Sequence, residues 1–108
     1  ADPDVPTREN AARREVLHWL VVNVPGTDVA SGVTAKPSSG PKPVQGYGIH
    51  RYILTVWKQN GTLRSDEYAG TLDHRLFRTM NFSQIATKQD DPTPFAGNFF
   101  QAQWDGIM

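Results

Sequence analysis

The chain contains no cysteine among its 108 residues. That excludes disulfide frameworks, thiolate metal sites and cysteine nucleophiles, and it agrees with a cytoplasmic protein. Net charge is also missing: eleven basic residues balance eleven acidic ones. A neutral chain has no global field to gather nucleic acid or an anionic membrane, so any anion recognition has to be local. No apolar run approaches a membrane span, and nothing at the start resembles a signal peptide. Internal repeats and low-complexity tracts are lacking too. With 38% apolar and 20% charged residues, the composition is that of a globular chain, long enough for one small domain with a modest core.

What is present is concentrated in two β-type runs. Residues 16–24, VLHWLVVNV, are β-branched and aromatic and stop at Pro25-Gly26. Alternation puts Val16, His18, Leu20, Val22 and Val24 on one face and Leu17, Trp19 and Val21 on the other, which predicts a central strand covered on both sides. Residues 49–59 form the second run, closed by Asn60-Gly61, with His50, Tyr52, Leu54 and Val56 on one face and Ile49, Ile53 and Trp57 on the other. Between them lies a Gly/Pro/Ser-rich connection, with a short strand near residues 31–35 and a proline-dense centre, residues 36–43, that no sheet ladder tolerates. Residues 63–80 are poorly periodic. A short helix follows, with Asn81 as its N-cap, a stripe of Phe82, Ile85 and Ala86, and a break at residues 90–94. Residues 98–104 read as a third strand. Trp19, Trp57, Trp104 and the Phe99-Phe100 pair are taken as sheet packing.

The polar residues that interrupt these runs carry the chemistry. His18 and His50 each sit on an apolar face, and Asp2 opens a rigid Asp-Pro-Asp-x-Pro turn. A lone histidine on such a face is most simply a buried ring satisfied by a carbonyl. A carboxylate beside two histidines, however, raises their pKa and creates a charged donor. With the Tyr52 hydroxyl and loop amides, such a donor would cradle a small oxyanion. The same trio matches a two-histidine, one-carboxylate metal set, but the close histidine pair common in such sites is missing, so no metal or cofactor is expected. Ser38 and Ser39 lack the context of an activated nucleophile, and no enzymatic activity is expected. His74 and the cluster of Arg8, Arg13 and Arg14 read as solvated surface.

Three blocks then point in one direction. Asp2-Pro3-Asp4-x-Pro6-x-Arg8, Arg14-Glu15-x-x-His18-Trp19-Leu20-Val21-Val22-Asn23 and Gly46-x-Gly48-Ile49-His50-Arg51-Tyr52 resemble the phosphatidylethanolamine-binding proteins, a family that includes the Raf kinase inhibitor protein. Residues 96–105, AGNFFQAQWD, resemble the family's late strand in its animal form. The resemblance implies a mostly β fold, a large antiparallel sheet against a smaller one, with an anion pocket at one end. Carried over by motif, Asp2, His18, His50 and Tyr52 correspond to pocket residues, and Pro6 and Pro43 to its rim. It further implies a non-enzymatic binder of a phosphate-bearing ligand, either an anionic small molecule, a phospholipid headgroup or a phosphorylated protein segment. Modulation of a protein kinase or serine protease is the implied role; a scaffold that uses the same fold for protein contacts is the alternative. Arg13, Val16 and Lys42 depart from the animal pattern, Lys42 standing where many members have glycine. Residues 1–108 are expected to be a single partial domain without the family's N-terminal portion and C-terminal helix, with Asp2 fraying at the open end.

Overall fold

Val33 folds back on Val22 because Gly32 lets the chain turn in close: a Cβ there would stand 2.8 Å from both the Val21 and Val24 side chains. In the computed structural model, which describes residues 1–73, 75, 77–89 and 93–105, strand β1 (Leu20–Val22) thereby pairs antiparallel with β2 (Val33–Lys36). A second antiparallel sheet joins β3 (His50–Val56) to β4 (Ala96–Ala102), in unbroken register from His50 opposite Ala102 to Val56 opposite Ala96. Two short helices, α1 (Ser65–Tyr68) and α2 (Thr79–Thr87), complete the described elements together with two single 3-10 turns. The mostly β expectation of two antiparallel sheets therefore holds.

The core gathers around β1. Leu17, Leu20 and Val22 pack with Leu63, Tyr68, Phe77, Phe82 and Ala86, and Trp57 and Ile85 close its margin. On α2 the buried residues Phe82 and Ala86 lie one turn apart, as an amphipathic stripe requires. The helix starts two residues before Asn81, because the cap is not local. The Glu15 carboxylate accepts from the Thr79 N–H at 3.3 Å and from its hydroxyl at 3.0 Å, placing an anion at the positive end of the helix. The Glu15 N–H also donates to the Phe77 carbonyl at 3.1 Å. Lys88, left-handed at φ 55°, ends the helix.

Asn23 ends β1 in the same left-handed region, at φ 58°. Its amide then locks the Gln59–Leu63 turn: Oδ1 accepts from the Leu63 N–H and from Gln59 Nε2, both at 2.8 Å, and Nδ2 donates to the Leu63 carbonyl at 2.9 Å.

Four expectations change. The run 16–24 is not one central strand: only Leu20–Val22 is regular, and a register shift between Leu20 and Val21 breaks the alternation. Leu17 is buried, whereas Trp19 is 44% exposed and not core. Phe99 and Phe100 line the β3–β4 sheet but lie 60% and 46% open to solvent, with Leu54 and Val56 exposed beside them. Residues 63–80, though aperiodic, hold α1 and a 3-10 turn at Ala69–Thr71. The expectations for His74, for the break at residues 90–92 and for residues 106–108 lie outside the described residues.

Candidate functional site

Residues 1–2 are wedged between two segments. Asp2 exchanges backbone hydrogen bonds with Val16, at 2.8 and 2.9 Å, and Ala1 exchanges a pair with Ile53 of β3, both at 2.8 Å. Asp2 is consequently 3% exposed, and the expected fraying does not occur. The physical reason is that a β-type backbone ladder on both sides outweighs the freedom of a chain end.

The double turn then delivers two carboxylates to consecutive residues of β3, one on each of its faces. Asp2 Oδ2 meets His50 Nδ1 at 2.7 Å, while Asp2 Oδ1 accepts from the Asp4 N–H at 2.8 Å. Asp4, fully buried, takes three hydrogen bonds from Arg51: the backbone N–H and Nε on Oδ2, at 2.8 and 2.9 Å, and Nη2 on Oδ1 at 2.7 Å. This fork holds the Asp4 carboxyl below the usual carboxylate range, against the opposing effect of burial.

His50 is buried and spent on structure. Its Nε2 lies 2.8 Å from the Pro6 carbonyl, which can only accept, so that nitrogen carries a proton. The other nitrogen shares a proton with Asp2. The pair is therefore neutral overall whichever partner holds that proton, and His50 has no N–H left for a ligand. The expectation of a charged histidine donating to an anion fails at this residue.

His18 differs in every respect. It is half-buried, and its Nδ1 lies 3.0 Å from the Ser39 carbonyl, while the Ser39 N–H returns a bond to the His18 carbonyl at 2.9 Å. Burial holds its pKa below the ordinary imidazole value, ahead of the opposing Ser39 hydrogen bond; the N-terminal ammonium and Lys36 lower it further and Asp2 raises it. The expected upward shift is thus reversed, because desolvation outweighs the carboxylate. The Tyr52 ring stands between the two halves of the site, edge-on to His18 at 5.3 Å and stacked on Phe100 of β4 at 5.2 Å. Burial, with the Asp2 and Asp4 charges, pushes its hydroxyl up to about 12, so it stays a donor across the physiological range. No protein partner takes that hydroxyl among the hydrogen bonds of the described residues.

Asp2, Pro6, His18, His50 and Tyr52 are thus brought together. Pro43 is buried in the connection, with no hydrogen bond or ring contact to the others. Ser39, Asp4, Arg51 and Phe100 are the supporting residues that sequence reasoning left out. The signal for Arg51 was present: it directly follows His50, and alternation sends adjacent strand residues to opposite faces. Among the described residues no group of three or more metal-ligating side chains converges. A shallow depression of about 260 Å³, lined by Arg8, Glu9, Tyr47 and Arg51 among others, lies on the Arg51 side and shares none of the His50 cluster. Of its two arginines, Arg51 is paired with Asp4.

The family model described as "Phosphatidylethanolamine-binding protein" matches residues 1–100. The chain belongs to that family. The phosphatidylethanolamine-binding proteins it resembles include the "Putative odorant-binding protein A5" of Drosophila melanogaster, 43% identical over 107 residues, which cover 95% of this chain and 50% of that protein. The "26 kDa secreted antigen" of Toxocara canis is 33% identical over 106 residues, covering 94% of this chain and 39% of the antigen. The chain therefore spans half or less of these relatives' lengths. The word "secreted" in the second name is in tension with the cytoplasmic expectation. No helix among the described residues is long and apolar enough to cross a membrane.

Proposed function

We propose that this phosphatidylethanolamine-binding-type chain carries a non-enzymatic site for a small phosphate-bearing ligand, built from Asp2, His18, His50 and Tyr52 with Pro6 at its rim. The observation that carries this reading is the Tyr52 hydroxyl: a donor held in its protonated form, with no hydrogen-bond partner among the described residues, beside a histidine whose Nε2 likewise has none among them. The Asp2–His50 pair contributes no net charge; it fixes the floor on which that donor stands. Membership of a binding family supports a ligand site, and one relative's name refers to odorant binding. Kinase or protease modulation would follow from binding a phosphorylated segment of the partner, which a phosphoserine peptide competing with phosphate would reveal.

The direct test is calorimetric titration with O-phosphorylethanolamine. Wild type is expected to bind, and Tyr52→Phe to lose about tenfold in affinity, the cost of one hydrogen bond to a charged group. Equal affinity in the two proteins would move the site away from Tyr52. A second reading, a scaffold for protein contacts, draws on the exposed apolar side chains of the β3–β4 sheet, Leu54, Val56 and Phe100 on one face and Phe99 on the other. Failure to bind any phosphate compound, with self- or partner association retained, would favour it.

A further inference from the structure

We propose that Asn60 is a modification site: spontaneous loss of its side-chain ammonia turns a remote C-cap of α2 into an anion that releases the helix end. Asn60 lies outside the proposed phosphate site, and its chemistry does not depend on it.

Of the chain's five asparagines, Asn60 alone precedes a glycine; Asn10, Asn23, Asn81 and Asn98 precede alanine, valine or phenylalanine. The turn demands that glycine, because Gly61 sits at φ 95°, where a side chain is strained. A Cβ on Gly61 would meet nothing within 4 Å, so no neighbour crowds the approach to its nitrogen. Both residues are exposed. Among the described residues the Gly61 N–H has no acceptor and Asn60 Oδ1 has no donor. The Asn23 amide, by contrast, is held by Gln59 and Leu63.

The reaction needs only water. The Gly61 backbone nitrogen attacks Asn60 Cγ and forms an N–Cγ bond. The Cγ–Nδ2 bond breaks, and ammonia leaves carrying the Gly61 proton. Water then opens the five-membered succinimide at either of its carbonyls, giving aspartate or isoaspartate with no change in oxidation state.

The consequence lies in what the amide holds. The last carbonyls of a helix have no partner within it. At the end of α2, the Asn60 N–H donates to the Ala86 carbonyl at 3.2 Å, and Asn60 Nδ2 donates to the Thr87 carbonyl. Asn60 thus serves the C-terminus of α2 as Glu15 serves its start. Conversion sets a carboxylate oxygen against a carbonyl, at the negative end of the helix dipole. The adjacent cation, Lys88, has its ammonium 3.9 Å from the Glu67 carboxylate. Isoaspartate further adds a methylene to the main chain inside the turn that Asn23 locks.

The test keeps the folded full chain at mildly alkaline pH, below its melting temperature, and follows it by tryptic mapping; residues 59–64 form one fragment between Lys58 and Arg64. Asn60 is expected to convert at least about tenfold faster than Asn10, Asn81 or Asn98, with isoaspartate among the products, because glycine closes the ring without a side chain in the way. Equal rates at these positions would overturn the proposal. Asn60→Asp reproduces the charge of the product, and Asn60→Ala only the lost donor. The aspartate variant should melt about 5 °C below the parent, and below the alanine variant, with faster amide exchange at Lys88. An aspartate variant as stable as either would overturn the release of the helix end. Should that variant fail to fold, aged parent chain separated by its extra negative charge supplies the same comparison.

Discussion

Both sheets are rich in apolar residues, yet among the described residues the core gathers on only one of them. Leu20 and Val22 of β1 are buried with Phe77, Phe82 and Ala86, and Ala35 of β2 packs at the margin of that cluster. β3 and β4 are longer and better paired, but Leu54, Val56, Phe99 and Phe100 face solvent. Backbone pairing sets the length of a sheet, whereas side-chain burial decides what it contributes to stability. The proposed site falls where the regimes meet, at the His50 end of β3, the one part of that strand with buried side chains.

This contrast can be broken from the stable side first. Phe82→Ala should cost about 3–5 kcal/mol, since it empties the centre of the packed cluster, and urea unfolding will measure it. Asp4→Ala should cost about 3 kcal/mol by leaving Arg51 without its fork. In the parent chain, the depressed Asp4 carboxyl provides stability that is complete above its unfolded pKa, near 3.9, and is lost as pH falls through the lower folded value. The depressed His18 ring has the same sign over a higher window, below 6.5, so acid titration of the melting temperature should show two successive declines. Asn23→Ala should cost about 2 kcal/mol, because it unpairs the buried side of the Gln59–Leu63 turn and forces alanine to a positive φ. Phe99→Ser on the bare sheet should change stability by less than about 0.5 kcal/mol. A large loss there would mean that the second sheet has a covering layer.

Much of this was legible in the residues. His50 and Tyr52 share a face because strand alternation dictates it, and the Asp-Pro-Asp turn was recognisable as a rigid source of carboxylates. α2 was found from Phe82, Ile85 and Ala86, but its start was missed because Glu15 caps it from 64 residues away. The 16–24 run misled for a similar reason: the register shift after Leu20 depends on the partner strand, and no local pattern records it. The protonation of the histidines was the least accessible feature. It is decided by the Pro6 and Ser39 carbonyls, and every residue has a carbonyl, so the sequence carries no mark of which ones are used.

Glu15 links these regions more tightly than its place outside the site suggests. Its N–H and carboxylate grip Phe77 and Thr79, and the next residue, Val16, is laddered to Asp2. The start of α2 and the Asp2–His50 pair are therefore joined like two ends of a short rigid lever. Opening of the helix terminus would be transmitted to the Asp2 carboxylate within a single residue step, and amide exchange at Thr79 and Asp2 should rise and fall in concert.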